Sequence, residues 1–190
     1  AEFASCKVTG KASAAPAIAF GKANEKIVVE KFVDDLFLMS NNYNWLWGEN
    51  RNELKVRDLG YYIGYEICER YYNLSKDKKK ALMELIELDF TNEEEVERIV
   101  DMTGLLPGTL DVLNAEYEKR RPTVIAMSPF ENGSQEVKPG RRIITITFSE
   151  PLLKDNTGVD FGPLGQDHFP KLEPNRYFNE DGSTWTIEAE

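Results

Sequence analysis

The sequence predicts an α+β fold arranged by segments, with an all-α part over residues 1–120 and a β-sandwich part over residues 121–190. Apolar residues recur at helical spacing as far as Tyr117, strict alternation replaces that period after Pro122, and pairs of turn residues punctuate the remainder. The period changes at Arg120-Arg121-Pro122, and the domain boundary is placed there.

Ile27, Val28, Phe32, Leu36 and Phe37 mark the first clear helix, with Asn24 positioned to cap its opening turn. From Ser40 to Glu53 the density of Asn and Gly predicts a loop, while Tyr43, Trp45 and Trp47 within it predict that the loop packs on something. Tyr61, Tyr65, Cys68 and Tyr72 then fall on one stripe of a tyrosine-rich helix, flanked by Ile63 and Ile67. Tyrosines so spaced either bury their rings in a core or present hydroxyls to a site.

Ser75 is expected to cap a third helix carrying Leu82, Leu85 and Ile86. Thr91-Asn92-Glu93-Glu94 reads as a capping box ahead of Val96, Ile99 and Val100, and Gly104 as its left-handed stop. Thr109 opens a last helix through Leu110, Leu113 and Tyr117.

Beyond Pro122, Ile144, Ile146 and Phe148 alternate with Thr145 and Thr147, as a half-buried strand requires. Val124–Met127 and Thr184–Glu188 are further strands, and Asn132-Gly133, Pro139-Gly140 and Asp181-Gly182 supply turns. Four or five strands fit, whereas an immunoglobulin-like sandwich needs about seven. Either the sheet is small or the chain stops before the domain is complete.

A formal net charge of −10 opposes the clustered Lys and Arg on which binding to nucleic acid and anionic lipid depends, and excludes both as principal partners. The most apolar run, Ile27 to Met39, is broken by Glu30, Lys31, Asp34 and Asp35, so no transmembrane segment of about 20 apolar residues exists. No signal peptide is present, which leaves location open because a mature chain would have lost it. Cys6 and Cys68 are too few for a disulfide framework and are expected to be buried free thiols.

Ala1-Glu2-Phe3-Ala4-Ser5, together with Asp58-Leu59-Gly60-Tyr61-Tyr62-Ile63-Gly64-Tyr65-Glu66-Ile67, resembles the C-terminal part of gluzincin-type zinc peptidases, the thermolysin-like and aminopeptidase-like family. Those enzymes carry a His-Glu-x-x-His helix and a later Asn-Glu-Gly-x-Ala-Glu helix whose first Glu is the third zinc ligand. Aligned so, the chain begins just past that ligand, and the resemblance implies that Glu2 orients a zinc-bound His by accepting its other ring N–H. Tyr61-x-x-Gly64 resembles the Tyr-x-x-Gly of aminopeptidase-like members, which implies that Tyr61 donates a hydrogen bond to the oxyanion of the tetrahedral intermediate. Tyr62, Tyr65, Trp45 and Trp47 are candidates for the substrate cleft.

The resemblance implies a fragment of a secreted, periplasmic or cell-surface metallopeptidase-like protein. Zinc would be the cofactor of the complete family protein, a peptide or protein its substrate, and the missing N-terminal portion a partner of this one. No His-Glu-x-x-His occurs here and His168 is the only histidine, whereas a catalytic zinc needs three protein ligands and an open fourth position. Zinc is therefore not expected on this chain alone, and hydrolysis is expected only if the metal-binding half is supplied.

Ser128-Pro129 to Pro139-Gly140, Ile144 to Leu152 and Asp181 to Ile187 resemble bacterial immunoglobulin-like modules, which space, dock or adhere. A competing reading follows from the aromatic loop: a non-enzymatic module in which Tyr43, Trp45 and Trp47 contact a glycan or protein surface. Asp155 to Asp160 places oxygen ligands around a glycine but lacks the later bidentate Glu of a calcium loop, and reads as a plain turn. His168 reads as a structural or surface residue.

Overall fold

The computed structural model describes residues 1–38, 42–47, 54–154 and 160–190. Helices fill the first part of the chain and an antiparallel sheet the second, an α+β composition divided into two compact units, Ala1–Lys119 and Arg120–Glu190.

The helical unit contains α1 (Glu2–Thr9), α2 (Pro16–Ala23), α3 (Glu25–Asp35), α4 (Asn42–Leu46), α5 (Leu59–Leu74), α6 (Lys78–Ile86), α7 (Glu93–Met102) and α8 (Leu110–Arg120). Helix α5 is the hub. Leu59, Tyr62 and Ile63 face a core with Val28 of α3, Trp45 of α4, Leu113 of α8 and Leu105–Leu106. Tyr65 faces Phe3 of α1 and Ile18 of α2, and Tyr71 faces Ala81 of α6 and Ile99 of α7. Three sides of one helix thus organise three apolar clusters, which is why its sequence is apolar over far more than one stripe.

Helix α2 escapes the sequence reading because its 8 residues, most of them apolar, are too short a run to show a helical period; Pro16 starts it at the position where a missing N–H is harmless. It lies close to α5, since a Cβ on Gly21 would overlap the ring of Tyr62. Several capping expectations shift by a residue or two. Asn24 precedes α3, but its amide donates to the Phe20 carbonyl at 2.9 Å and closes α2 instead. Asp77 rather than Ser75 caps α6, its carboxylate accepting from the Lys80 N–H at 3.0 Å, because Ser75 still ends α5. Asn92 rather than Thr91 caps α7, accepting from the Glu95 N–H at 3.3 Å, because Thr91 is held by the Asp89 carboxylate. Gly104 does follow α7 with a φ of +56°, and Thr109 accepts from the Val112 N–H ahead of α8.

The segment read as a loop from Ser40 to Glu53 contains the short helix α4; its remaining residues, apart from Trp47, lie outside the described residues.

The second unit is a four-stranded antiparallel sheet in the order β1-β2-β4-β3, with β1 Val124–Ser128, β2 Arg142–Phe148, β3 Leu172–Phe178 and β4 Thr184–Ala189. Ile144 pairs with Ile187 and Ile146 with Trp185, which puts all four on one face. There they join Ala189, Met127 and Leu172. Thr145 pairs with Thr186 and Thr147 with Thr184 on the opposite face. Strand β3 is missing from the sequence reading because Pro174 and Asn175 interrupt its pattern. Proline is tolerated there because β3 lies at the sheet edge and its pairing slips between Leu172 and Arg176. No described helix is long and apolar enough to cross a membrane.

Candidate functional site

Phe3 brings the start of α1 to the middle of α5. Its ring meets Tyr65 edge-on at 5.5 Å and Tyr72 at 5.6 Å, so a single buried aromatic anchors the first turn of the chain. Two lysines secure the same junction. Lys7 of α1 and Lys22 of α2 both pair with Glu69 of α5, while Lys22 also lies over the Tyr65 ring at 5.1 Å. Burial pushes the Glu69 carboxyl up, but the Lys22 hydrogen bond and charge and then Lys7 outweigh it and hold it below its ordinary value.

This docking leaves a cleft of about 330 Å³ between α1, α5 and α7. Phe3, Tyr65 and Cys68 form one wall; Val96, Ile99 and Val100 of α7 form another; Leu85, Leu88 and Phe90 complete it. Glu2 and Tyr61 also line it, although their motifs lie far apart in the chain. The Glu2 carboxylate accepts from the Ser13 hydroxyl at 2.6 Å and remains exposed. Tyr61 is 54% exposed, and among the described residues its hydroxyl has no hydrogen-bonding partner. Gly64, the glycine of Tyr-x-x-Gly, opens onto the cleft, and a Cβ there would meet nothing within 4 Å.

The remaining candidates separate. Tyr65 lies at the cleft wall, nearly buried, with its phenol pKa raised by burial and then by Glu69. Tyr62 is wholly buried on another side of α5, where its hydroxyl donates to Glu25 at 3.2 Å. Arg70 binds the other Glu25 oxygen at 2.7 Å and also holds Glu66 and the Gly104 carbonyl, so Tyr62 belongs to a brace across α3, α5 and the α7 terminus. Burial, reinforced by Glu25 and Glu66, raises its pKa strongly. Trp45 is only 4% exposed, packs edge-on against Phe32 at 5.2 Å and donates its indole N–H to Asp35 at 2.9 Å. Trp47 is 58% exposed. The cleft therefore gathers Glu2, Tyr61 and Tyr65, and neither Tyr62 nor either tryptophan lines it.

Sequence reasoning passed over Phe90, which is 76% exposed at the cleft edge, and the Leu88 beside it. Their signal was two apolar residues beyond the end of α6, where a helix-to-helix turn has no use for them. Cys6 and Cys68 are free and half-buried, and burial raises the Cys68 thiol pKa.

Among the described residues no group of three His, Cys, Asp or Glu side chains could hold a metal ion. Glu2 is a single carboxylate already bonded to Ser13, and His168, in the second unit, contacts the Leu164 carbonyl at 2.9 Å. These residues do not form a zinc site, and no step through zinc is assigned to them. The Asp155–Val159 part of the oxygen-rich turn lies outside the described residues.

No protein-family model matches the chain, and no curated protein or solved structure matches it significantly.

Proposed function

We propose that the helical unit forms the substrate-cleft portion of a zinc-metallopeptidase-like protein of the gluzincin type, with peptide or protein segments as substrates. One observation carries this reading. Glu2 and Tyr61, singled out from two separate motifs for two different roles, line the same apolar cleft. In this reading the exposed Tyr61 hydroxyl donates to the oxyanion that develops on a scissile carbonyl, and the apolar walls exclude water around the bound side chain. Zinc is the cofactor proposed for the whole protein, with ligands outside the residues described. A secreted, periplasmic or cell-surface location goes with the same reading.

The β unit is proposed to be an immunoglobulin-like module. Its antiparallel pairing and its single apolar face around Ile144 and Ile187 support this, although four strands fall short of the about seven of a full sandwich.

The test uses the polypeptide encoded by the whole reading frame. A His-Glu-x-x-His and an in-frame Glu-Gly-x ahead of Ala1-Glu2 are expected there, and Tyr61→Phe in that polypeptide should lower kcat for peptide hydrolysis by about 10²–10³ with KM little changed. Unchanged kcat removes Tyr61 from the chemistry and the peptidase reading with it.

A second reading, a binding or adhesion module for a glycan or protein surface, is favoured by the exposed rings of Tyr43 and Trp47. Under it, Trp47→Ala abolishes surface binding and leaves stability intact, whereas Trp45→Ala unfolds the helical core.

A further inference from the structure

Gly21, Gly60 and Gly64 all lie within helices, where glycine is less favourable than any residue but proline. Such a residue is expected where a close contact compensates. Gly21 has one, because a Cβ there would overlap the Tyr62 ring, and Gly60 has another, with the Trp45 carbonyl oxygen and a Leu46 methyl at 2.9 Å. Gly64 has none: its Cβ would enter open space in the cleft. The missing side chain is therefore part of the cleft's depth.

The cleft's size and surroundings narrow what that depth accommodates. At about 330 Å³ it is at the small end of ligand pockets, and a dry apolar cavity of about 150 Å³ already holds a benzene ring. One large side chain fits, and a longer peptide stretch does not. Phe90 and Tyr61, both strongly exposed, flank the opening as apolar lips. The surrounding charge is mostly negative, although the Ala1 α-ammonium also lines the cleft and lies near Cys68. Glu2 lines the cleft, Glu87 and Asp89 bracket Leu88, and Glu93 and Glu94 open the helix that supplies Val96. None of these five carboxylates has a cationic partner among the described residues.

We infer that the cleft seats one bulky apolar side chain, of the Phe, Leu or Met class, from a peptide segment that carries Lys or Arg beside it, and that Gly64 sets the depth available to that side chain. This rests on reading the cleft as a substrate site and names the substrate class.

The experiment is an NMR titration of the isotopically labelled chain, 1–190, with acetyl-Lys-Lys-Phe-Lys-Lys-amide, following the amides of Gly64, Ile99 and Val100. Replacing the peptide's Phe by Ala should weaken binding at least tenfold. Replacing its Lys residues by Glu should weaken it at low salt, with the difference shrinking as salt screens the rim. Gly64→Leu should fill the cleft and weaken binding at least tenfold while the helical circular dichroism is retained. If Gly64→Leu loses its fold, Phe90→Ser at the exposed lip serves instead and should weaken binding severalfold. Equal affinity for the Phe and Ala peptides, for the Lys and Glu peptides at low salt, or for wild type and the folded variant overturns the inference. The peptidase reading fails separately, since an unaffected kcat in Tyr61→Phe would leave a Gly64-dependent binding site without catalysis.

Discussion

Gly21 and Gly64, both within helices, give the sharpest test of the packing, because one substitution should move stability in opposite directions. Replacing a helical glycine by alanine gains about 1 kcal/mol from helix propensity and the smaller freedom of the unfolded chain. At Gly64 nothing within 4 Å opposes that gain, so Gly64→Ala should stabilise the helical unit by about 1 kcal/mol. At Gly21 the new methyl would overlap three ring carbons of Tyr62. That ring cannot yield, being wholly buried and tethered through its hydroxyl to Glu25, which Arg70 holds in turn. Overpacking of this kind costs about 1–3 kcal/mol and sometimes more. So deep an overlap belongs at the upper end, which leaves Gly21→Ala less stable by about 2 kcal/mol after the propensity gain. Urea unfolding followed by circular dichroism at the helical band reads the helical unit. With a slope of about 2 kcal/mol per molar, the midpoint should fall by about 1 M for Gly21→Ala and rise by about 0.5 M for Gly64→Ala. A Gly21→Ala midpoint at or above wild type would refute the close approach of α2 to α5.

Tyr62→Phe should cost about 1 kcal/mol, the worth of its hydrogen bond to Glu25, because Arg70 still neutralises that carboxylate; a loss above about 3 kcal/mol in urea unfolding would mean the brace is misdescribed. Glu69, whose folded pKa lies below its ordinary value of 4.5, stabilises the fold above that pH and loses this contribution as pH falls through the lower folded value. Glu69→Gln should therefore lower Tm at neutral pH, and its Tm should converge with that of wild type as the pH falls below 4.5; a constant gap in thermal scans would contradict the Lys7–Glu69–Lys22 pairing. In the β unit, Ile187→Ala removes a buried side chain paired with Ile144 and should cost about 2–5 kcal/mol, exposing Arg142 and Arg176 to trypsin while the helical unit keeps its circular dichroism.

Much of the fold was legible because it rests on local period. The stripe of Tyr61, Tyr65 and Cys68 on α5 is a consequence of 3.6 residues per turn, and these residues do line one cleft. The alternation of Ile144, Ile146 and Phe148 with Thr145 and Thr147 predicts the two faces of β2 for the same kind of reason. Caps were less legible. Ser75, Asp77, Thr91 and Asn92 all carry suitable acceptors within a few residues, and which one serves depends on where the preceding helix ends and on competitors such as Asp89. Strand β3 was hidden by Pro174, which only its edge position permits.

The division into a helical and a β-rich part, the net charge of −10 and the tyrosine stripe of α5 all follow from local composition and period. Which aromatic residues are core and which are surface depends instead on packing between segments distant in the chain. Trp45 and Trp47 lie two residues apart in the same Asn-rich run, yet one is enclosed by Phe32 and Asp35 while the other is exposed. The same packing also decided that Glu2 shares a cleft with Tyr61 and that Gly64, unlike Gly21, opens onto space. Periodicity acts over a few residues and fixes which side of a helix a residue occupies. What that side meets depends on elements distant in the chain, here α1 held to α5 by Phe3 and Glu69, and no local pattern encodes that encounter.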